Sequence, residues 1–270
     1  MSDNSREVLR EAENETQSRC LRPITREIIA DLETPVSTYL KLAAGKPSFL
    51  LESVTGGENV ARYSFIGLQP REAFVVRGKH VSRHSGPSLE SVETYSGEPL
   101  QILRAALAPH HSDAPPNLPR LVGGLVGYMS YDSVRFFEPK LEMELHDLPD
   151  GIFFLCDTLL AFDHTRGSLL AITHATGDSP VEEETARKRL AGIEAQLNSS
   201  TPVAEPAVVT ASKTQRSHTQ PQFEAMVQHA KEHIAAGDVF QVVLSQKFTR
   251  RTEASPFAIY RPLRRLNPSP

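Results

Sequence analysis

The sequence has little cysteine: Cys20 and Cys156 are the only two in 270 residues. Two thiols so far apart build neither a disulfide framework nor a zinc knuckle. Cys20 reads as a tail thiol and Cys156 as a small buried hydrophobe. Blocks of one charge sign are also missing. Lys plus Arg (29) against Asp plus Glu (33) gives a formal net charge of -4, and no run is long enough to act as an electrostatic footprint for nucleic acid or anionic lipid. The expected partner is a small molecule or a protein, with no nucleic acid and no membrane. No window approaches the roughly 20 apolar residues that cross a bilayer. Met1 to Arg19 holds five acidic residues and no apolar run, so it is neither a secretory signal nor an Arg-rich transit peptide, and cytoplasm is the expected compartment. No internal repeat is visible.

What remains is an ordinary globular composition, 39% hydrophobic and 23% charged, in a chain long enough for one large domain or two ordinary ones. Residues 1–20 read as a disordered polar tail. Thr34-Pro35 signals a helix start, and Gly45-Lys46-Pro47 a stop. Strands are expected over Ser48–Val54 and Arg62–Ile66, separated by a Gly-Gly turn at Thr55–Asn59, with a hairpin around Arg77-Gly78. Ser82–Gly97 has the polar composition of a loop. Pro99–Ala108 reads as a short helix with Leu100, Leu103 and Leu107 on one stripe, followed by a second linker, Pro109–Pro119. Leu121–Tyr131 is strand-like, but Gly123, Gly124 and Gly127 interrupt it, as happens where another backbone or a ligand comes close. The order Gly-Gly-Leu-Val-Gly is not a dinucleotide fingerprint and leads into no helix that could meet a phosphate. Ile152–Phe162 and Ser168–Thr173 are apolar strands joined at Asp163–Gly167, and Val181–Leu197 is a charged helix.

Asn198–Gln222, rich in Ser, Thr, Pro and Ala, is the expected linker between a domain at 21–197 and a second segment at 223–270. In that segment Phe223, Met226, Val227, Ala230 and Ile234 mark one helical stripe, ended by Gly237. From Val239 the period becomes two, with Phe240, Val242, Leu244 and Phe248 on a core face and Gln241, Val243, Ser245 and Lys247 on the other. The Gln241 face suits either a solvated sheet or a polar cavity. Ser255-Pro256 opens a last helix, in which Pro262 imposes a kink or an early end. Unequal runs of strands and helices predict an α+β fold.

Composition and spacing identify no reaction. His229, Glu232 and His233 spell H-x-x-E-H, the inverted zinc-protease pattern, but no third ligand is identifiable. His110-His111 sits in a Pro-rich linker. Asp132, Arg135 and Glu138 form a candidate polar cluster for which a surface ion pair is the usual explanation. No Ser-His-Asp or Cys-His set has a recognisable local context.

Several stretches resemble the anthranilate synthase component I family of chorismate-utilising enzymes. They are Ser48-Phe49-Leu50-Leu51-Glu52-Ser53-Val54, Arg62-Tyr63-Ser64-Phe65-Ile66-Gly67, Gly123-Gly124-Leu125-Val126-Gly127-Tyr128 with Tyr131-Asp132 and Arg135, Gly237 to Gln246, and Asn267-Pro268-Ser269-Pro270. The resemblance covers about residues 25 to 270 in the family's order. It implies an N-terminal antiparallel-sheet domain with flanking helices, followed by the start of a chorismate-binding domain. It also implies conversion of chorismate and ammonia to anthranilate and pyruvate, the first step of tryptophan biosynthesis. Mg2+ is the implied cofactor, and a separate glutamine amidotransferase subunit, component II, is the implied source of ammonia. Chorismate carries two carboxylates, so a divalent ion offsets charge and a general acid helps the hydroxyl leave. Relatives that add water carry a lysine in place of Gln241; the neutral amide favours an amine-using member and makes Gln241 a candidate pocket residue. The resemblance assigns L-tryptophan feedback to Ser53 and Pro270. It puts the acid-base residues and the metal-binding glutamates beyond Pro270, so no catalytic or metal residue is expected in this chain, which should be inactive alone. Two alternatives stay open: aminodeoxychorismate synthase component I of the folate pathway, and a noncatalytic module that senses an amino acid or docks a partner.

Overall fold

The computed structural model describes residues 21–52, 62–110, 112, 115–138, 140–141, 147–177, 179–202 and 212–267. The expected tail, the Thr55–Asn59 turn, Ser53 and Pro270 lie outside them. The architecture is α+β, and the chain divides into two compact units near Pro202.

The first unit is built on two five-stranded antiparallel sheets, each covered by helix. One sheet has the order β1 (Leu21–Ile29), β10 (Ser168–Thr176), β9 (Leu159–Asp163), β3 (Tyr63–Leu68), β2 (Ser48–Leu51). The other has the order β6 (Ser91–Ser96), β5 (His80–Ser85), β4 (Glu72–Arg77), β8 (Gly151–Cys156), β7 (Gly124–Met129). Helices α1 (Pro35–Leu42) and α3 (Pro180–Leu197) cover the first sheet, closing a core of Ile24, Ile66, Leu160, Leu169, Leu190 and their neighbours. Helix α2 (Pro99–Leu107) covers the second, where Phe74, Val76, Val81, Ile102, Leu103 and Leu155 are buried.

Local chemistry explains these elements. Thr34 and Ser37 cap α1 reciprocally, with Pro35 at its first turn. Glu98 accepts two backbone N–H groups at the start of α2, and Ser179 does the same for one N–H of α3. The charged helix α3 carries Glu183–Arg187 and Glu184–Lys188 pairs one turn apart. The Arg77-Gly78 hairpin forms, with Gly78 at φ 59°, as does the hairpin closed by Gly167.

Three expectations change, and one strand appears where none was read. β1 carries Pro23 inside a strand, tolerable because β1 is an edge and its outer N–H row pairs with nothing in the sheet. Ser82–Gly97 is no loop: β5 and β6 pair through it. Their polar side chains bond across the ladder, His80 to Ser96 at 2.9 Å and Ser82 to Thr94 at 3.4 Å, and β6 is an exposed edge with no apolar face for a pattern search to detect. The apolar run Ile152–Phe162 is two strands in different sheets, because the chain crosses between them at Asp157-Thr158. On α2 the buried side is set by Ile102, Leu103 and Ala105, while Leu107 is exposed.

The glycine strand behaves as its composition suggests. A Cβ on Gly127 would lie 2.0 Å from the carbonyl oxygen of Ile152, and one on Gly151 would lie 2.8 Å from that of Tyr128. β7 and β8 are that close because neither residue has a side chain at the contact.

The second unit contains α4 (Gln220–Ala236), a two-residue ladder of β11 (Gln215–Arg216) with β12 (Phe248–Thr249), and α5 (Pro256–Leu266). Thr219 and Gln222 box the start of α4, and Gly237 at φ 82° ends it. The helix α5 runs through Pro262 without ending there. The long strand expected from Val239 to Phe248 is absent: residues 239–247 are irregular. Alternating side chains stabilise a strand only when neighbouring strands supply cross-strand partners, and among the described residues this unit supplies two. Phe240, placed on the core face by the alternation, is 95% exposed.

Candidate functional site

β3 and β9 lie side by side, Tyr63 opposite Asp163 and Gly67 opposite Leu159. One end of this pair gathers polar groups. Arg62 donates from Nη2 to Asp163 Oδ2 at 2.6 Å, and from Nε to both carboxylate oxygens at 3.2 Å. Backbone N–H groups of Thr165 and Arg166 add bonds to Asp163 Oδ1 at 3.1 and 3.2 Å. The guanidinium holds the Asp163 carboxyl below its ordinary range, against the opposing effect of burial. The same bond raises Arg62. Beside them Ser64 Oγ sits 2.8 Å from His164 Nε2. That distance suits nucleophile activation, but Ser64 is fully buried and among the described residues no carboxylate orients the His164 ring, so the contact satisfies a core hydroxyl. Leu51, at the end of β2, pairs with Phe65 of β3. Glu52 follows directly at the end of that strand.

Of the residues expected to carry function, Ser53 and Pro270 fall outside the described residues. Gln241 belongs to the irregular stretch of the second unit and is exposed there, so the strand expected to carry it does not form.

The histidine pattern on α4 holds no zinc site. His233 Nδ1 bonds to Asp238 Oδ2 at 2.8 Å, and the Nε2 atoms of His229 and His233 face each other at 3.3 Å. The two nitrogens that would share a metal bond to one another instead. Among the described residues no group of three His, Cys, Asp or Glu side chains could hold a metal ion.

The Asp132–Arg135–Glu138 cluster does not form as expected. Arg135 reaches instead to Asp150, at 2.6 Å from Nη2 to Oδ1, and Asp150 Oδ2 also accepts the Gly78 N–H at 2.6 Å. Both side chains are largely buried, so the pair ties the chain before β8 to the β4–β5 turn rather than decorating a surface. Arg62 and Asp163 were missed for the same reason as Asp150: partners far apart in sequence become visible only once strand pairing is known. Cys156 is buried as expected, and burial together with the Asp157 charge pushes its thiol up to about 12.

With this geometry in hand, the chain can be compared with known proteins. A family model described as chorismate binding enzyme matches residues 46–270. Anthranilate synthase component 1 of Neisseria gonorrhoeae is 40% identical over 257 residues, covering 92% of this chain and 52% of its own length. Its counterpart in Synechocystis is 39% identical over 272 residues with the same coverage. The crystal structure of anthranilate synthase component I from Streptococcus pneumoniae superposes with a TM-score of 0.64 at 26% identity, over 90% of this chain and 53% of that one. The chain spans about half the length of the curated relatives it matches. No helix among the described residues is long and apolar enough to cross a membrane. The family model covers well over half of the residues and runs through both units, and on that match the chain belongs to the chorismate-binding enzyme family.

Proposed function

We propose that this chain serves an enzyme of the anthranilate synthase component 1 type, which converts chorismate and ammonia to anthranilate and pyruvate. The observation that carries the reading is the 40% identity to a protein of that name over 92% of the chain. Gln241 supports an amine-using member, because a neutral amide takes up no proton from an attacking water and ammonia needs none removed before it adds. The reading includes Mg2+ as cofactor, a glutamine amidotransferase as second component, acid-base and metal-binding residues outside these 270, and feedback by L-tryptophan at Ser53 and Pro270.

The decisive assay uses the longest open reading frame that contains this sequence, supplied with chorismate, Mg2+ and ammonium. Anthranilate fluorescence, lost with chelator and lowered by tryptophan, is the expected result. Glutamine should replace ammonium only when the amidotransferase is added. Accumulation of aminodeoxychorismate would move the protein to the folate pathway. Absence of any chorismate consumption, with tryptophan still bound, would make it a sensing module.

A further inference from the structure

The other end of the β3–β9 pair opens on a cleft of about 480 Å³ where both crossings between the two sheets lie. The chain leaves β3 through Gln69-Pro70 to enter β4, and returns from β8 through Asp157-Thr158 to enter β9. Backbone bonds lock the two crossings together, Leu68 N–H to the Thr158 carbonyl at 3.0 Å and Arg71 N–H to the Leu155 carbonyl at 2.8 Å. Gln69 holds φ at 45°, in the left-handed region that a non-glycine residue occupies at some cost, and this places Arg71 on the cleft wall.

The lining is set by hydrogen bonds already in place. Arg189 of α3 donates from Nη1 to the hydroxyls of Thr158 and Thr173 at 3.3 and 3.2 Å, and the same nitrogen lies 3.7 Å from Asp157 Oδ1. Both threonines are buried and bonded to each other at 3.1 Å. His174 Nδ1 lies 3.0 Å from the Asp157 carbonyl oxygen; a carbonyl only accepts, so Nδ1 carries the proton and Nε2 is left for another partner. Glu182 Oε2 accepts the Thr176 N–H at 2.6 Å.

Taken together, each acid on the wall meets a donor of the protein: Asp157 has the Thr158 hydroxyl and Arg189, and Glu182 has a backbone N–H. The cationic side is not matched in this way. Among the described residues the Arg71 guanidinium has no hydrogen-bond or ion-pair partner, and Arg189 spends one nitrogen on the hydroxyls. We propose that this cleft binds a small oxyanion, a carboxylate or phosphate group taken by Arg71 and Arg189, in a site separate from the Arg62–Asp163 end of the same strands. Guanidinium groups grip such planar or tetrahedral oxyanions through paired N–H donors. The inference does not rest on the chorismate reading, and each can fail without the other.

The test is calorimetric titration of the full 270-residue chain at fixed ionic strength with inorganic phosphate and, separately, with succinate. Saturable binding with Kd below about 1 mM is expected for at least one of them. The better ligand identifies the anion class. Arg71→Ala should weaken it by about tenfold or more while leaving the melting temperature unchanged, because that side chain supports nothing else. Arg71→Lys should recover part of the affinity, since it keeps the charge and loses the fork. Unsaturable heats with both anions, or equal affinity in Arg71→Ala, would overturn the proposal.

Discussion

The two units of this chain use the same local signals with different outcomes. α1 in the first unit and α4 in the second both start at a Thr capping box with proline in the first turn. Yet α1 buries Pro35, Thr38 and Leu42 against a sheet, while α4 has no buried residue. The stripe of Phe223, Met226, Val227 and Ala230 is where periodicity puts it, half-covered, and Ile234 on the same stripe is 44% exposed. Caps and periodicity decide that a helix exists and which side is apolar. Burial requires a second surface, and local sequence does not supply it.

The largest test of this contrast removes a buried charge partner from the first unit. Arg135→Ala leaves Asp150 buried without its cation and should cost about 3–5 kcal/mol in urea unfolding; a loss under 1 kcal/mol would show the pair to be solvated. Next comes a matched pair of truncations. Leu160→Ala empties a fully buried position and should cost about 2–5 kcal/mol, whereas Phe240→Ala, though it deletes a larger side chain, should stay within about 0.5 kcal/mol. Equal costs would mean that the second unit has a core. The cap of α1 comes next: Thr34 accepts the Ser37 N–H, so Thr34→Ala should cost about 1 kcal/mol of local helix stability, read by hydrogen exchange in α1. The smallest effect is acidic. The Asp163 carboxyl titrates below its ordinary value of 3.8 in the folded protein, so its contribution is complete above that value and is lost as pH falls through the depressed one. Stability of the β3–β9 pair should therefore decline below about pH 4, and Asp163→Asn should flatten that part of the profile.

These comparisons also explain which parts of the molecule could be read in advance. The helix announced by Thr34-Pro35, and the turns at Gly78 and Gly167, depend on contacts within a few residues, so the sequence carries them. β6 escaped because an exposed edge strand needs no apolar face. The break at Asp157-Thr158 escaped because an apolar run looks the same whether it stays in one sheet or moves to another. The strand predicted around Gln241 failed in the opposite direction, since alternation specifies a face but not the neighbours that a ladder needs. At the candidate site, Ser53 itself lies outside the described residues, but the stretch leading to it was recognisable through its resemblance to a family. Arg62 with Asp163, Arg135 with Asp150 and the Arg71–Arg189 cleft were not, because their members come from different strands and helices and no spacing rule links them.

The contact of Gly127 and Gly151 with each other's strand limits how this part of the chain can vary. Even alanine at position 127 would put a methyl carbon inside the Ile152 carbonyl oxygen. Library selection at positions 127 and 151 should therefore return glycine almost without exception, whereas its neighbour Tyr128, half open to solvent, should accept many residues.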